Sequence, residues 1–162
     1  KKFIRKNLIA NVIVISKNKI KISNHGKVAV ITAGTSDIPV AEESKIILEE
    51  MGCKVFTQYD VGIAGIHRLF NSLQIIIKED VDVIIAIAGR EGAMPSIIAG
   101  LVDIPVIGVP TSNGYGYGKD GIAALMSMLQ SCSLGISTVN IDSGIAAGVF
   151  ASLIAKRSSR TK

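Results

Sequence analysis

The stretch Val28-Ala29-Val30-Ile31-Thr32-Ala33-Gly34-Thr35-Ser36-Asp37-Ile38-Pro39 decides the fold. It opens with a β-branched apolar run of the kind that a parallel sheet buries on both faces. A glycine turn follows, then two hydroxyls and a carboxylate, and Pro39 marks the opening of a helix. Strand, glycine turn and helix start in immediate succession are the first half of a βαβ unit.

Working outward, the pattern repeats. Apolar runs at 55–57, 83–88, 106–109 and 136–139 give further short strands after 28–33. Helical periods fill the gaps. The first, 38–51, carries Val40, Ile47, Leu48 and Met51 on one face and Glu42, Glu43, Glu49 and Glu50 elsewhere, and stops at Gly52. Segments 64–78, 94–101, 121–131 and 143–157 take the remaining helical slots. Right-handed crossovers then predict a three-layer, doubly wound α/β fold with five parallel strands in the flavodoxin-like order 2-1-3-4-5.

Residues 1–26 read as a short β-rich N-terminal arm or linker. Val12, Val14, Ile20 and Ile22 lie in pieces broken at Lys17-Asn18-Lys19 and closed by Asn24-His25-Gly26. The α/β domain is expected over 27–157 and a basic flexible tail over 158–162.

With 48% hydrophobic residues and a mean hydropathy of +0.45, the chain is more apolar than its length requires of one soluble domain. A sheet covered on both faces accounts for part of this, and subunit contacts are expected to account for the rest. The small residues Gly144, Ala147, Gly148 and Ala151 of the last helix are the expected contact surface of a homo-oligomer. No apolar run is long enough to span a membrane and no secretory signal is recognisable, so a cytoplasmic location without membrane contact is expected. Cys53 and Cys132 are too few for a disulfide framework and have no ligand-type spacing with His25 and His67, so no metal site is predicted. The net charge of +5 gathers at the two ends of the chain, which suits solvated termini better than a nucleic-acid surface. Position 1 is not Met and the first methionine is Met51, as expected of a piece of a longer protein.

In an open α/β sheet, ligands bind beyond the carboxyl ends of the strands, so the loops there carry the functional reading. After the first core strand come Gly34, Thr35, Ser36 and Asp37, which offer backbone N–H groups and hydroxyls at a helix start and suit a phosphate. Ser36 or Asp37 would serve equally as an ordinary helix cap. After the third come Gly89, Arg90 and Glu91; Arg90 suits a substrate carboxylate, a phosphate or a plain surface position. After the fourth comes a loop with Ser112, Gly114, Tyr115 and Tyr117, which reads as a lid or as a flexible surface connection. His67 and Arg68, at the start of a helix, suit a proton carrier beside an anion clamp, or a cap and a surface charge. Cys53 precedes a buried strand and is expected in the core, and Cys132 has the same bland reading of a small buried hydrophobe.

Several ordered segments resemble one known family. They are Ile31-Thr32-Ala33-Gly34-Thr35-Ser36-Asp37-Ile38-Pro39-Val40-Ala41-Glu42-Glu43, Asp60-Val61-Gly62-Ile63-Ala64-Gly65-Ile66-His67-Arg68, Ala88-Gly89-Arg90-Glu91-Gly92-Ala93-Met94-Pro95-Ser96 and Pro105 to Gly116, followed by Gln130-Ser131-Cys132 and Val139-Asn140-Ile141-Asp142-Ser143-Gly144. The resemblance runs from Lys27 to Ala155. It is to the pyridinium-3,5-biscarboxylic acid mononucleotide synthases, the carboxylase/hydrolases of nickel-pincer-cofactor biosynthesis in lactate racemase maturation.

That resemblance implies nicotinic acid adenine dinucleotide and CO2 as substrates. It also implies carboxylation at C5 of the pyridinium ring, and hydrolysis of the phosphoanhydride to release AMP. It implies Cys132 as a nucleophile adding to the ring, Glu91 as a base and His67 as a further catalytic group. Gly34, Thr35, Ser36, Asp37, Arg68, Gly89, Arg90, Ser112, Gly114 and Tyr115 are then substrate contacts. No tightly bound cofactor is implied, Mg2+ is expected to accompany the substrate phosphates, with Asp37 and Asp142 nearby, and the assembly is expected to be an octamer. The family shares its fold with the aminoimidazole ribonucleotide carboxylases of purine synthesis, which are the alternative reading. From these the chain departs at Glu91-Gly92-Ala93-Met94, where the purine enzymes carry a loop with His and Leu, and at Cys132, which their chemistry does not require. The family's usual amino-terminal domain is not among these residues, so a nucleotide-binding core without catalysis is a third reading.

Overall fold

The computed structural model describes residues 2–18 and 26–160. The expected pieces at Lys19, Ile20 and Ile22, the closing turn at Asn24-His25 and the final Thr161-Lys162 lie outside the described residues. A hairpin comes first, β1 (Phe3–Asn7) paired antiparallel with β2 (Val12–Ser16). The α/β part follows as β3 (Lys27–Thr32), α1 (Ile38–Glu50), β4 (Lys54–Gln58), α2 (Ile66–Lys78), β5 (Val83–Ala88), α3 (Ala93–Ala99), β6 (Val106–Pro110), α4 (Ile122–Leu129), β7 (Ile136–Thr138) and α5 (Gly144–Ser158). The sheet is parallel throughout, with order β4-β3-β5-β6-β7. This is the predicted 2-1-3-4-5 order.

Alternation along the strands explains why both faces are apolar. Val28, Val30, Val83, Ile85 and Ile87 point to the layer of α1 and α5, where Leu48, Ala147 and Ala151 meet them. Ala29, Ile31, Ile84 and Ala86 point to the opposite layer, against Leu73, Ile76, Ile98 and Met128. Every residue of β5 is buried because helices cover it on both sides and strands flank both edges. Cys53 is buried in the first of these cores, as its position before a strand predicted.

Helix α1 opens with Pro39 in its first turn and closes where Gly52 takes φ +82°. One expectation for it fails. Glu42, placed on a polar face by the sequence pattern, is buried beneath the hairpin. Asn7 Nδ2 donates to it at 2.7 Å, the Tyr59 hydroxyl at 2.6 Å, and Lys45 lies at 3.3 Å. Burial works against its charge, but Tyr59, Asn7 and Lys45 together outweigh it and hold the carboxyl below its ordinary range. The helix is therefore covered by sheet, hairpin and α5. Among the described residues, no helix is long and apolar enough to cross a membrane.

A second expectation is corrected by the packing of α5. Its small-residue stripe does not face outward toward another subunit but packs on α1 of the same chain. A Cβ on Gly144 would fall on the Val40 carbonyl oxygen, and one on Gly148 would stand 2.9 Å from the Ser44 carbonyl oxygen. The Ser44 hydroxyl donates to the Gly144 carbonyl at 2.8 Å, so the two helix backbones touch directly. The apolar side chains that α5 leaves exposed are instead Ile145, Val149, Phe150 and Leu153. Gly144→Ala is expected to destabilise the fold by about 1–3 kcal/mol, the usual range for overpacking. Urea denaturation checks this, and an unchanged midpoint would show that the helices have room to part.

Candidate functional site

The sheet order reverses between β3 and β5: the chain leaves β3 outward to β4, and from β5 it proceeds the other way to β6 and β7. The loops leaving these two adjacent strands diverge and open a crevice at their carboxyl ends. A cavity of about 360 Å³ occupies that crevice. Gly34, Ser36 and Asp37 line it from the β3 side and Gly89, Arg90 and Glu91 from the β5 side. Gly62 to Ala64, Met94, Asn113 and Tyr115 complete the lining.

Asp37 ties these loops together. Its carboxylate is 3% exposed and accepts the Thr111 hydroxyl at 2.7 Å on one oxygen and the Gly34 backbone N–H at 2.9 Å on the other. It thus caps its own 3-10 turn, Thr35–Asp37, while reaching the end of β6. Gly89 passes so close that a Cβ would stand 2.7 Å from the Thr111 hydroxyl, which explains the glycine there. Gly62 is constrained in the same way by the Ala33 carbonyl, 2.5 Å from its notional Cβ. The third loop is pinned from two sides. Ser112 N–H donates to Asp142 at 2.9 Å, and Asn113 Nδ2 donates to the Ser36 carbonyl at 2.8 Å.

Burial pushes the Asp37 carboxyl above its ordinary value, and the neighbouring Asp142 charge adds to this. Hydrogen bonds from Thr111, Gly34 and Asn113 oppose the rise without cancelling it. Glu43 is also raised, by burial first and then by Asp142.

Next to this rigid corner stand two groups without ionic partners. Glu91 is exposed on the cavity wall and makes no hydrogen bond or ion pair among the described residues. Arg90, at φ +52° in the turn closed by Gly92 N–H to Gly89 carbonyl, makes no ion pair among the described residues. Its guanidinium carbon lies 4.3 Å from the centre of the Tyr115 ring.

Of the residues singled out in the sequence, the cavity gathers Gly34, Ser36, Asp37, Gly89, Arg90, Glu91 and Tyr115. Thr35 is exposed beside them and outside the lining. Ser112 and Gly114 belong to the third loop, but it is their neighbours Asn113 and Tyr115 that reach the cavity. His67 and Arg68 lie exposed on the first turn of α2, outside the lining, and Arg68 pairs with Asp60 at 3.0 Å. Within one chain this is a surface pair.

Cys132 is not brought to the cavity by its own chain. Gly135 accepts from Val106 N–H, so the segment before β7 lies at the start of β6, while the cavity lies at its end. Gly100, at the foot of α3, stands by Ser133. A five-residue strand is about 16 Å long, which sets Cys132 and Glu91 apart by roughly the length of a strand. The thiol is exposed there, among the exposed Leu129 and Leu134.

Thr111 and Asn113 were not singled out as site residues by the sequence. A hydroxyl directly after a buried strand is the signal for Thr111; Asn113 has none beyond its loop. No group of three or more His, Cys, Asp or Glu among the described residues is placed to hold a metal ion.

Fold and crevice define a class: an open α/β protein whose anion-suited loops meet at the switch point of its sheet. Within it, the chain belongs to the AIR carboxylase family, whose model matches residues 27–161. It is 58% identical over 153 residues to an uncharacterized protein of Methanocaldococcus jannaschii, covering 94% of this chain and 59% of that one. The chain thus spans less than two thirds of that relative's length. It is 34% identical over 126 residues to the N5-carboxyaminoimidazole ribonucleotide mutase of the same organism, covering 76% of this chain and 75% of the mutase. The fold is shared with Treponema denticola PurE, at a TM-score of 0.56 and 21% identity, over 83% of this chain and 89% of the other. The named relatives are enzymes, and the chain is AIR carboxylase-like.

The raised carboxyl of Asp37 sets a pH dependence. Its folded value lies above the ordinary 3.8, so it favours the fold below that pH and disfavours it as the pH rises through the folded value. Relative to Asp37→Asn, the wild type is expected to lose stability across that window and then level off. Denaturant titrations of both proteins from about pH 3 to 7 check this; a stability difference independent of pH would contradict it.

Proposed function

We propose that the protein carboxylates the pyridinium ring of nicotinic acid adenine dinucleotide at C5, and cleaves the phosphoanhydride to give the biscarboxylic acid mononucleotide and AMP. The observation that carries this reading is Glu91, an exposed carboxylate that makes no hydrogen bond or ion pair among the described residues and stands beside Arg90 on the wall of the crevice.

The chemistry asks for such a group. A pyridinium ring is electron-poor, and C5 does not attack CO2 until the ring's polarity is reversed. A thiolate adding to C6 forms the C–S bond and sends an electron pair into the ring, leaving an enamine with a nucleophilic C5. C5 then bonds to CO2. Glu91 takes the C5 proton, the electron pair restores the aromatic ring, and the thiolate leaves with the electrons of the C–S bond. Water cleaves the phosphoanhydride in a separate step, with Mg2+ accompanying the phosphates as part of the substrate. Arg90 and the backbone N–H groups of Thr35 and Ser36 supply positive potential to the substrate's carboxylate and phosphates.

The thiolate is Cys132, and because its own chain holds it at the opposite end of the strands, it acts in the crevice of a neighbouring copy. The exposed apolar residues Met126, Leu129 and Leu134 around that end suit a subunit contact. On this reading the active assembly is a homo-oligomer, an octamer by the resemblance, in which unlike strand ends meet.

The relatives named as N5-carboxyaminoimidazole ribonucleotide mutases favour the second reading, carboxyl transfer on an aminoimidazole, which is already an enamine at the reacting carbon and needs no thiol. One assay separates them. The protein, expressed from its complete reading frame, is incubated with nicotinic acid adenine dinucleotide and bicarbonate, and the products are read by mass spectrometry. AMP and a dicarboxylated mononucleotide are expected. Cys132→Ser is expected to abolish ring carboxylation, and Glu91→Gln to slow it by about 10²-fold or more. Mixed oligomers of the two variants are expected to regain on the order of a quarter of native activity, since that share of crevices pairs an intact Glu91 with an intact Cys132. Near-normal turnover of Cys132→Ser, or conversion of the aminoimidazole nucleotide alone, would overturn the reading.

A further inference from the structure

The crevice is not isolated. A second hollow of about 290 Å³ adjoins it, lined by Arg90, Glu91 and Tyr115 together with Tyr117, Gly118 and Ala123. Arg90, Glu91 and Tyr115 are thus a wall common to both. We infer that the second hollow is the subsite for the purine nucleoside half of a dinucleotide, with Tyr117 as its stacking platform and Arg90 as the contact for the phosphates that bridge the two halves.

The wall's chemistry matches a bridging anion. Arg90 has no carboxylate partner among the described residues, its guanidinium lies over the Tyr115 ring at 4.3 Å, and it lines both hollows. The loop that carries the tyrosines is folded tightly on itself. Gly118 N–H donates to the Tyr115 carbonyl at 3.3 Å, a Cβ on Gly114 would strike the Gly118 carbonyl, and Gly116 takes φ +65°. This turn presents the Tyr117 ring fully exposed, with nothing of its own chain against it, and Tyr115 71% exposed beside it. A phenol ring in that state gains from stacking on a base, which every purine offers. Size points the same way: each hollow has about the room of a mononucleotide, and the two together suit a dinucleotide.

This subsite deepens the proposed reaction and rests on the dinucleotide being its substrate, but it is testable without turnover. Titration calorimetry is run with AMP, nicotinic acid mononucleotide and nicotinic acid adenine dinucleotide on the wild type, Tyr117→Ala and Tyr117→Trp. The ring of Tyr117 supports nothing in the fold, so the alanine variant is expected to remain native by circular dichroism. The dinucleotide is expected to bind the wild type at least about 10-fold more tightly than the mononucleotide. Tyr117→Ala is expected to remove that gain and the binding of AMP while leaving the mononucleotide unchanged, and Tyr117→Trp to restore both. Equal affinities of wild type and Tyr117→Ala for AMP and for the dinucleotide would overturn the inference, even if carboxylation proceeds. AMP binding that depends on Tyr117 in a protein that forms no carboxylated product would support the subsite and reject the reaction.

Discussion

Thr111 and the Gly34 backbone both donate to the buried Asp37 carboxylate, and Gly89 stays bare so that this contact can close. Three loops from three different strands are thereby fixed at one point, directly beside the crevice between β3 and β5. A buried carboxylate is costly unless its hydrogen bonds are satisfied, and its raised proton affinity shows that the cost is not fully offset. Arg90 and Glu91, on the next turn, keep their charges free of protein partners among the described residues because the Asp37 corner, not they, holds the loops in place.

Much of this architecture was legible from residue order. The glycine turn at Gly34 with Pro39 behind it, and the uninterrupted apolar run of β5, predict parallel strands with both faces covered, and crossover handedness narrows the strand orders to a few. What periodicity could not show was contact between elements far apart in sequence. Glu42 looked solvent-facing because a helix pattern says nothing of a hairpin that folds over it from residues 3–16. Gly144 and Gly148 looked like a subunit surface because small residues permit any close helix approach, and only the fold shows that α1 is the partner. In the site, the glycine-flanked residues after β3 and β5 were readable from position alone. Thr111 and Asn113 were not, since their roles exist only once β6 lies beside the Asp37 turn.

Cys132 shows how a family resemblance and a single chain's geometry constrain each other. The proposed chemistry assigns the thiol to the same ring as Glu91, whereas the strand pairing sets the two at opposite ends of the sheet's strands. The proposed chemistry and this geometry hold together only when unlike strand ends of two copies meet. The exposed apolar side chains along α4 and after it lie where such a contact would form, and the chain's high hydropathy is then explained without the α5 stripe. Membership in the AIR carboxylase family is the coarse result. The proposed pyridinium substrate and the thiol it needs are the finer step.

A crystal structure of the oligomer with bound nicotinic acid adenine dinucleotide tests that step most directly. The account predicts the pyridinium ring between the Gly34 and Gly89 turns, Glu91 facing C5, and the sulfur of Cys132 of a neighbouring copy within about 3.5 Å of C6. A ring bound in the crevice with no Cys132 sulfur from any copy near it would contradict the account.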